Sequence, residues 1–176
     1  MRLLKSRFNV ETHLVELNPA VAERAREAGC ADFVTAGDFI QFETDLLFDC
    51  ITFLDMLEHV EEPSKYLSKA ANLLNTNGRV IASIPNVGHW SVVFDLLEGR
   101  WDYAPSGIHC ITHLRFFTLN SIRKLFVGSG FVLDKIERVI VECPVNITKQ
   151  NEALGALQID AQSLDTYAYL IVARLG

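Results

Sequence analysis

Acidic residues and a histidine follow three short apolar segments of the sequence, at positions where they could bind a ligand. Glu16 lies near the end of THLVEL, Asp38 follows DFVTAG, and Asp55 and Glu58-His59 follow FDCITFL. In α/β proteins, ligands bind beyond the carboxyl ends of parallel strands, where loop backbone and helix N-termini are free to bond them. A histidine there, with an unperturbed pKa of about 6.5, can remove a proton from a hydroxyl group. We therefore expect a ligand site at these segments, with His59 as the catalytic proton acceptor.

Alternating apolar and helical patterns surround these residues and indicate a parallel sheet covered by helices. Strands are predicted over 12–17, 32–35, 48–54, 79–84, 131–143 and 166–173. Helices are predicted over 19–28, from 63 to a cap at 77–78, over 91–98 and from 118 to about 127. The nearly continuous apolar run 48–54 is typical of a strand buried on both faces, so we expect it to be central.

Length and composition exclude several classes of protein. The 176 residues predict one domain over 1–176, and a net charge of −6 without a basic cluster argues against nucleic acid as a partner. The apolar runs are shorter than the roughly 20 residues that span a bilayer, so we expect no membrane association and a cytoplasmic location. Cys30 and Cys50 lie among apolar residues, as buried free thiols do, and we expect no disulfides.

Five motifs in the sequence occur in an order shared with a known family. They are VELNPAVAERAREAG, TAGD, FDCITFLDMLEHVEEP, LNTNGRVIASIPN and HLRFFT. Together they resemble the class I S-adenosylmethionine-dependent methyltransferases, and among these the branch of ubiquinone-biosynthesis O-methyltransferases and of bacterial enzymes acting on glycans and small metabolites. The resemblance covers about Thr12 to Val141. It implies an α/β fold with a Rossmann-like, doubly wound, mostly parallel sheet, an antiparallel C-terminal strand and S-adenosyl-L-methionine as cofactor.

The resemblance also implies a role for each acidic residue named above. Glu16 matches the residue that accepts hydrogen bonds from the ribose hydroxyls, and Asp38 the one that accepts from the adenine amino group, with Phe39 as a ring contact. Asp55 and Met56 match positions beside the methionine part of the cofactor. Purely structural roles stay open, because carboxylates are common before helix caps and in turns. His59 likewise has the alternative of a structural turn.

Residues 86–117 form a segment rich in histidine and aromatic residues, which we interpret as an insert on the side of the methyl acceptor. Asn86, His89 and Arg115 are the candidates for binding a small-molecule or glycan-type acceptor. Packing is the alternative for the aromatic residues, and pairing with an acidic neighbour is the alternative for Arg115.

Two histidines of the insert have the spacing of metal ligands. His109 and His113 stand four residues apart with Cys110 between them. No third ligand follows at a suitable spacing, so we expect no metal.

The family's Gly-rich turn of the form GxGxG, after a first central strand, is missing before Glu16. Residues 2–8 look like the end of the helix that follows this turn. The sequence could be an N-terminally truncated part of a longer product, a second chain could supply the strand, or the protein could be a degenerate relative. Truncation is the explanation we favour. Because unpaired strand edges promote association, we also expect a homo-oligomer.

The leading functional hypothesis is methyl transfer from S-adenosylmethionine to an oxygen of the acceptor, with catalysis resting mainly on positioning. A methyltransferase-like module without activity is the alternative, favoured by the missing turn. A nicotinamide-nucleotide dehydrogenase is a weaker option, because the GxGxxG fingerprint is also missing.

Overall fold

The computed structural model describes residues 2–143 and 161–176. These fall into two compact units, Met1–Leu46 and Leu47–Gly176, which are described separately. Our expectation of a single domain stays a prediction.

The first unit contains two parallel strands and two helices. Its elements are α1 (Arg2–Phe8), β1 (His13–Glu16), α2 (Pro19–Glu27), β2 (Phe33–Ala36) and a 3₁₀ turn (Phe39–Gln41). Strands β1 and β2 pair in parallel, from His13 opposite Phe33 to Glu16 opposite Ala36. As expected, α2 begins where the Asn18 side chain accepts hydrogen bonds from two backbone amides and Pro19 occupies the first turn.

Asp32 ties the start of both strands together. Its carboxylate accepts hydrogen bonds from the backbone amide and hydroxyl of Thr12, at 3.0 and 2.8 Å, and pairs with the Lys5 ammonium. The lysine bond and the threonine bonds lower the pKa of Asp32 to about 2. The carboxylate therefore fixes β1 against β2 at neutral pH.

The second unit is built on a four-stranded sheet. Its elements are β3 (Phe48–Leu54), a 3₁₀ turn (Leu57–His59), α3 (Pro63–Leu73), β4 (Leu74–Pro85), α4 (Trp90–Leu97), α5 (Leu119–Gly128), β5 (Phe131–Ile140), α6 (Ala161–Leu164) and β6 (Thr166–Leu175). The strand order is β3-β4-β6-β5. Strand β3 runs parallel to β4, whereas β6 runs antiparallel to both β4 and β5. The mixed α/β sheet with its antiparallel C-terminal strand confirms the expected fold class.

The core of this unit lies around the two inner strands of the sheet. Strands β4 and β6 supply fully buried aliphatic residues such as Val80 and Ile171, and helices α3 and α5 add Leu67 and Phe126. The alternating burial of β4 and β6 places apolar side chains at every second position over much of their length. The two inner strands therefore give a rigid frame for the loops beyond their ends.

Several sequence-based expectations for this unit are wrong, among them the burial of Cys50, which is exposed. Strand β3 has the expected bounds, but it lies at the end of the described sheet, and Cys50 and Leu54 are exposed. Its apolar run therefore does not mark a central strand. Helix α3 ends at Leu73, and Gly78 lies inside β4 and does not cap the helix. The register of β4 with β3 explains this, because Leu74 already pairs with Phe48.

The remaining expectations concern strand ends and membrane spans. Strand β5 ends at Ile140, three residues earlier than expected, and residues 144–160 lie outside the described part of the chain. Within 2–143 and 161–176, no helix has both the length and the apolar character required to cross a membrane.

Candidate functional site

Asp55 follows β3 in an unusual backbone conformation. Its φ of 48° lies in the left-handed region, which is rare for residues other than glycine. Two hydrogen bonds to Ser83 on β4 stabilise this conformation: the Asp55 amide donates to the Ser83 hydroxyl at 2.8 Å, and the hydroxyl donates to the carboxylate at 2.8 Å. Backbone strain of this kind is concentrated at functional sites. The end of β3 is thus a place where the chain is held in a specific, strained geometry.

The 3₁₀ turn after Asp55 buries an acidic side chain. Met56 begins this turn, and its carbonyl accepts a hydrogen bond from the His59 amide at 3.0 Å. Glu58 is only 1% exposed, and neither of its carboxylate oxygens has a partner within the described residues. Burial, and to a smaller extent the charge of Asp55, raises the pKa of Glu58 to about 7. Among the described residues, this carboxylate therefore lacks the ion pair or hydrogen bonds that a buried charge normally has.

His59 and His113 lie side by side, although 54 positions separate them in the sequence. Their ring centroids are 4.7 Å apart with an edge-to-face orientation. Nδ1 of His59 lies 3.1 Å from the Thr112 carbonyl oxygen, and Nδ1 of His113 lies 3.0 Å from that of Ile108. Because a carbonyl only accepts hydrogen bonds, both Nδ1 atoms carry the proton, and Nε2 of each neutral ring has a lone pair. Burial, with the nearby His59 ring, lowers the pKa of His113.

The connection between α4 and α5 is bonded to the turn that carries Glu58. The backbone amides of Leu114 and Arg115 both donate to the Glu58 carbonyl, at 2.8 and 3.0 Å. The Arg115 guanidinium donates to the carbonyl of Glu61, and among residues 2–143 and 161–176 it forms no ion pair with an acidic side chain. This connection therefore forms part of the site and is not an independent loop.

These elements line a partly open cavity of about 270 Å³ in the second unit. Acidic, histidine, thiol and phenol groups line it together with small residues: Asp55, Glu58, His59, Pro85, Pro105, Ser106, Gly107, Cys110, His113, Tyr167 and Ala168. A hydrogen bond with Thr112 lowers the pKa of the Cys110 thiol. The cavity thus offers proton acceptors and hydrogen-bonding groups at the ends of β3 and β4.

Asn86 and His89 are held by the framework beside this cavity. The Asn86 amide is fully buried and donates to the carbonyls of Ser163 and Thr166, at 2.9 and 2.8 Å. His89 is 1% exposed and caps α4, with Nε2 directed at the Val141 carbonyl at 3.3 Å. Neither Asn86 nor His89 lines the cavity. Their hydrogen bonds to the framework do not favour contact with an acceptor, which stays a prediction.

In the insert, packing explains most of the aromatic residues. Trp101 makes edge-to-face contacts with His109 and Phe116, at centroid distances of 4.8 and 5.1 Å. Phe117 is only 7% exposed.

In the first unit, Glu16 is the last residue of β1 and Asp38 follows β2, at the same end of the two parallel strands. One Glu16 oxygen accepts from the Asn18 amide at 2.8 Å, and the other, Oε2, accepts no hydrogen bond among the described residues. Asp38 accepts from the Ile40 amide at 3.0 Å and caps the 3₁₀ turn that begins at Phe39. Both structural roles expected as alternatives are therefore present, and Glu16 retains an oxygen for a ligand.

Sequence reasoning placed Glu58 beside His59 at the ligand site but gave it no role of its own, and it did not assign His113 to the site. The sequence does not indicate that the Glu58 carboxylate is buried, because burial depends on how the 3₁₀ turn packs and not on the neighbouring residue types. His113 had been considered with His109 on sequence spacing alone.

Known proteins with similar folds or sequences include several methyltransferases. The chain is similar to an O-methyltransferase (NcsB1) from neocarzinostatin biosynthesis, in complex with S-adenosyl-L-homocysteine and 1,4-dihydroxy-2-naphthoic acid. The TM-score is 0.62 at 12% identity, and the likeness covers 99% of this chain and 45% of that one. A S-adenosylmethionine-dependent methyltransferase from Clostridium acetobutylicum ATCC 824 gives a TM-score of 0.64 at 14% identity, covering 99% of this chain and 78% of that one.

Similarity in sequence points in the same direction. The ubiquinone biosynthesis O-methyltransferase of Pasteurella multocida (strain Pm70) is 33% identical over 86 residues, a match spanning 43% of this chain and 36% of that protein. The matched part is thus about a third of the relative's length. The family model described as "Methyltransferase domain" matches residues 2–136. These findings confirm the resemblance seen in the motifs: the chain belongs to the methyltransferase domain family.

Proposed function

We propose that the protein transfers the methyl group of S-adenosylmethionine to a hydroxyl oxygen of a small-molecule or glycan-type acceptor. The observation that carries this proposal is the cavity in the second unit, where His59 presents Nε2 beside Glu58 and His113. Membership of the family supports methyl transfer. The names of two similar proteins, both O-methyltransferases, support oxygen as the atom that is methylated.

The cofactor would be bound by acidic residues at strand ends. The chemistry of Glu16 fits this role, because its Oε2 can accept a hydrogen bond from a ribose hydroxyl while Oε1 remains bonded to Asn18. Asp38 and Phe39 are the residues we assign to the adenine. Asp55 and Met56 in the second unit are those we assign to the methionine part. When bound, the cofactor supplies an electrophilic methyl group.

His59 is the group we assign to proton removal from the acceptor. Its Nδ1–H donates to the Thr112 carbonyl, and this bond fixes the ring so that Nε2 is the proton-accepting atom. A general base typically contributes about 10²–10⁴-fold to the rate. The cavity walls position the acceptor, and positioning contributes more than the base in reactions of this kind.

The first test is calorimetric titration of the purified chain with S-adenosylhomocysteine. We expect binding, and we expect Glu16→Ala to weaken it while Glu27→Ala, at an exposed glutamate of α2, leaves it unchanged. A folded chain that does not bind would refute the proposal and favour the non-catalytic module.

The second test measures methyl transfer to a panel of phenols and sugars with radiolabelled S-adenosylmethionine. His59→Ala should lower kcat and leave the affinity for S-adenosylhomocysteine unchanged. Equal kcat values for the variant and the wild type would remove His59 from the reaction.

A homo-oligomer is part of the proposal. Strand β3 pairs with β4 alone among the described strands, and Leu54 on it is 60% exposed. Such an edge favours pairing with another chain. Light scattering after gel filtration should give at least twice the monomer mass of 19.7 kDa, and a monomer at micromolar concentration contradicts this expectation.

A further inference from the structure

We propose that Glu58, His59 and His113 hold a divalent transition-metal ion such as Zn²⁺ on the wall of the cavity. One ligand atom from each of these side chains lies within 4.8 Å of those of the other two. Three groups this close can converge on one ion after small side-chain rotations, since zinc–ligand bonds are about 2.0–2.2 Å long.

Glu58 gives the first independent reason to expect a cation. Its side chain is almost fully removed from solvent, yet both carboxylate oxygens lack a partner among the described residues. Burying a charged group without a partner is costly, and most buried charges are paired or bind metals. A cation between Glu58 and the two histidines would supply the missing partner.

The orientation of the two imidazoles gives the second reason. Each ring donates its Nδ1–H to a backbone carbonyl, that of Thr112 for His59 and that of Ile108 for His113. Histidines that bind metals almost always donate their other ring N–H to such an acceptor, which fixes the tautomer and the ring plane. Both Nε2 lone pairs are therefore available for the ion.

The donor set selects the class of metal. Two imidazole nitrogens and one carboxylate oxygen suit zinc and its first-row neighbours, whereas Mg²⁺ and Ca²⁺ prefer oxygen ligands alone. Three protein ligands also leave a coordination position open towards the cavity. This distinguishes the site from a closed structural zinc site.

The use of the ion in catalysis rests on the proposed function. An acceptor hydroxyl at the open position would become more acidic, as water does on zinc. With the ion bound, His59 would be a metal ligand in place of the proton acceptor assigned above, and the proton would leave to solvent water through the open side of the cavity. The oxygen forms the new bond to the methyl carbon, the carbon–sulfur bond breaks, and sulfur keeps the electron pair.

The test is calorimetric titration of the chelator-treated chain with Zn²⁺ alone. We expect one equivalent to bind. The affinity for Zn²⁺ should fall in His113→Ala and in Glu58→Gln. The decrease should exceed the roughly 10–100-fold that follows the loss of a residue that only hydrogen-bonds a metal ligand. The matched control is His109→Ala, because His109 lies in the same connection but packs on Trp101, and this variant should bind like the wild type.

A second measurement, the visible absorption spectrum of the Co²⁺-loaded wild type, tests the same site without any variant and is therefore valid even if a variant does not fold. Visible bands typical of four- or five-coordinate cobalt with nitrogen ligands are expected, and the spectrum of aqueous cobalt would overturn the inference. The inference would also be overturned if His113→Ala and Glu58→Gln bound zinc with the affinity of the wild type. Zinc binding without methyl transfer to any acceptor would uphold the metal site and count against the proposed function alone.

Discussion

Replacing Glu58 with glutamine should remove the loss of stability that this carboxyl causes as the pH rises in the metal-free protein. Burial raises the pKa of this carboxyl from 4.5 to about 7 in the folded state. The folded protein therefore binds more protons than the unfolded chain between these two values. The stability linked to Glu58 is fully present below about pH 4.5 and is lost as the pH rises through about 7.

The size of this effect follows from the same interval. One pKa unit corresponds to about 1.36 kcal/mol. The rise from 4.5 to about 7 thus corresponds to a loss of about 3 kcal/mol in unfolding free energy between acidic and mildly alkaline pH. That is a large part of the roughly 5–15 kcal/mol typical of a folded domain.

Urea unfolding at several pH values between about 5 and 8, with a chelator present, measures the effect. The comparison is between slopes, since the amide introduced by Glu58→Gln would also lack partners and could lower stability at every pH. Glu61→Gln, at an exposed site three residues away, should keep the wild-type slope. If Glu58→Gln retains the wild-type pH dependence, burial of Glu58 does not govern the stability and the reasoning is refuted.

Three further substitutions test the framework of the second unit. Asn86→Ala should lower the unfolding free energy by about 2–4 kcal/mol, since it leaves the carbonyls of Ser163 and Thr166 without the amide donor now at 2.9 and 2.8 Å; an unchanged thermal midpoint contradicts this. Gly78→Ala should lower the unfolding free energy by about 1–3 kcal/mol, because the new Cβ would lie 2.9 Å from the Phe48 carbonyl oxygen. Gly128→Ala is the control, since there is open space around Gly128, and it should not lower the unfolding free energy. Thr118→Ala removes the capping box of α5 and should lower the free energy of urea unfolding by about 1 kcal/mol. An unfolding free energy equal to that of the wild type would show that the cap is dispensable.

Local sequence signals predicted the elements of the fold well. Asn18 and Pro19 marked the start of α2, and Thr118 marked that of α5, because capping depends on residues within one helical turn. The bounds of β3 were also as predicted. The position of β3 at the end of its described sheet was not predicted. An apolar run indicates that a segment forms a strand, but it does not indicate how many strands pair with it.

The candidate site was predicted only in part, for a similar physical reason. His59 was named from its position after a strand, which is a local property. Its neighbour His113 comes from a connection that reaches the site through backbone hydrogen bonds at Leu114 and Arg115. Contacts of this kind depend on main-chain geometry and leave no pattern in the side chains.

The two hydrogen bonds on the Glu58 carbonyl have a consequence for how the cavity opens. They join the turn that forms one wall to the connection that forms another, so both walls must separate in the same event. The amide protons of Leu114 and Arg115 should therefore exchange with solvent at one common rate, and a ligand in the cavity should slow both. Hydrogen exchange at these two amides would then report on occupancy of the cavity, even for a molecule that is never methylated.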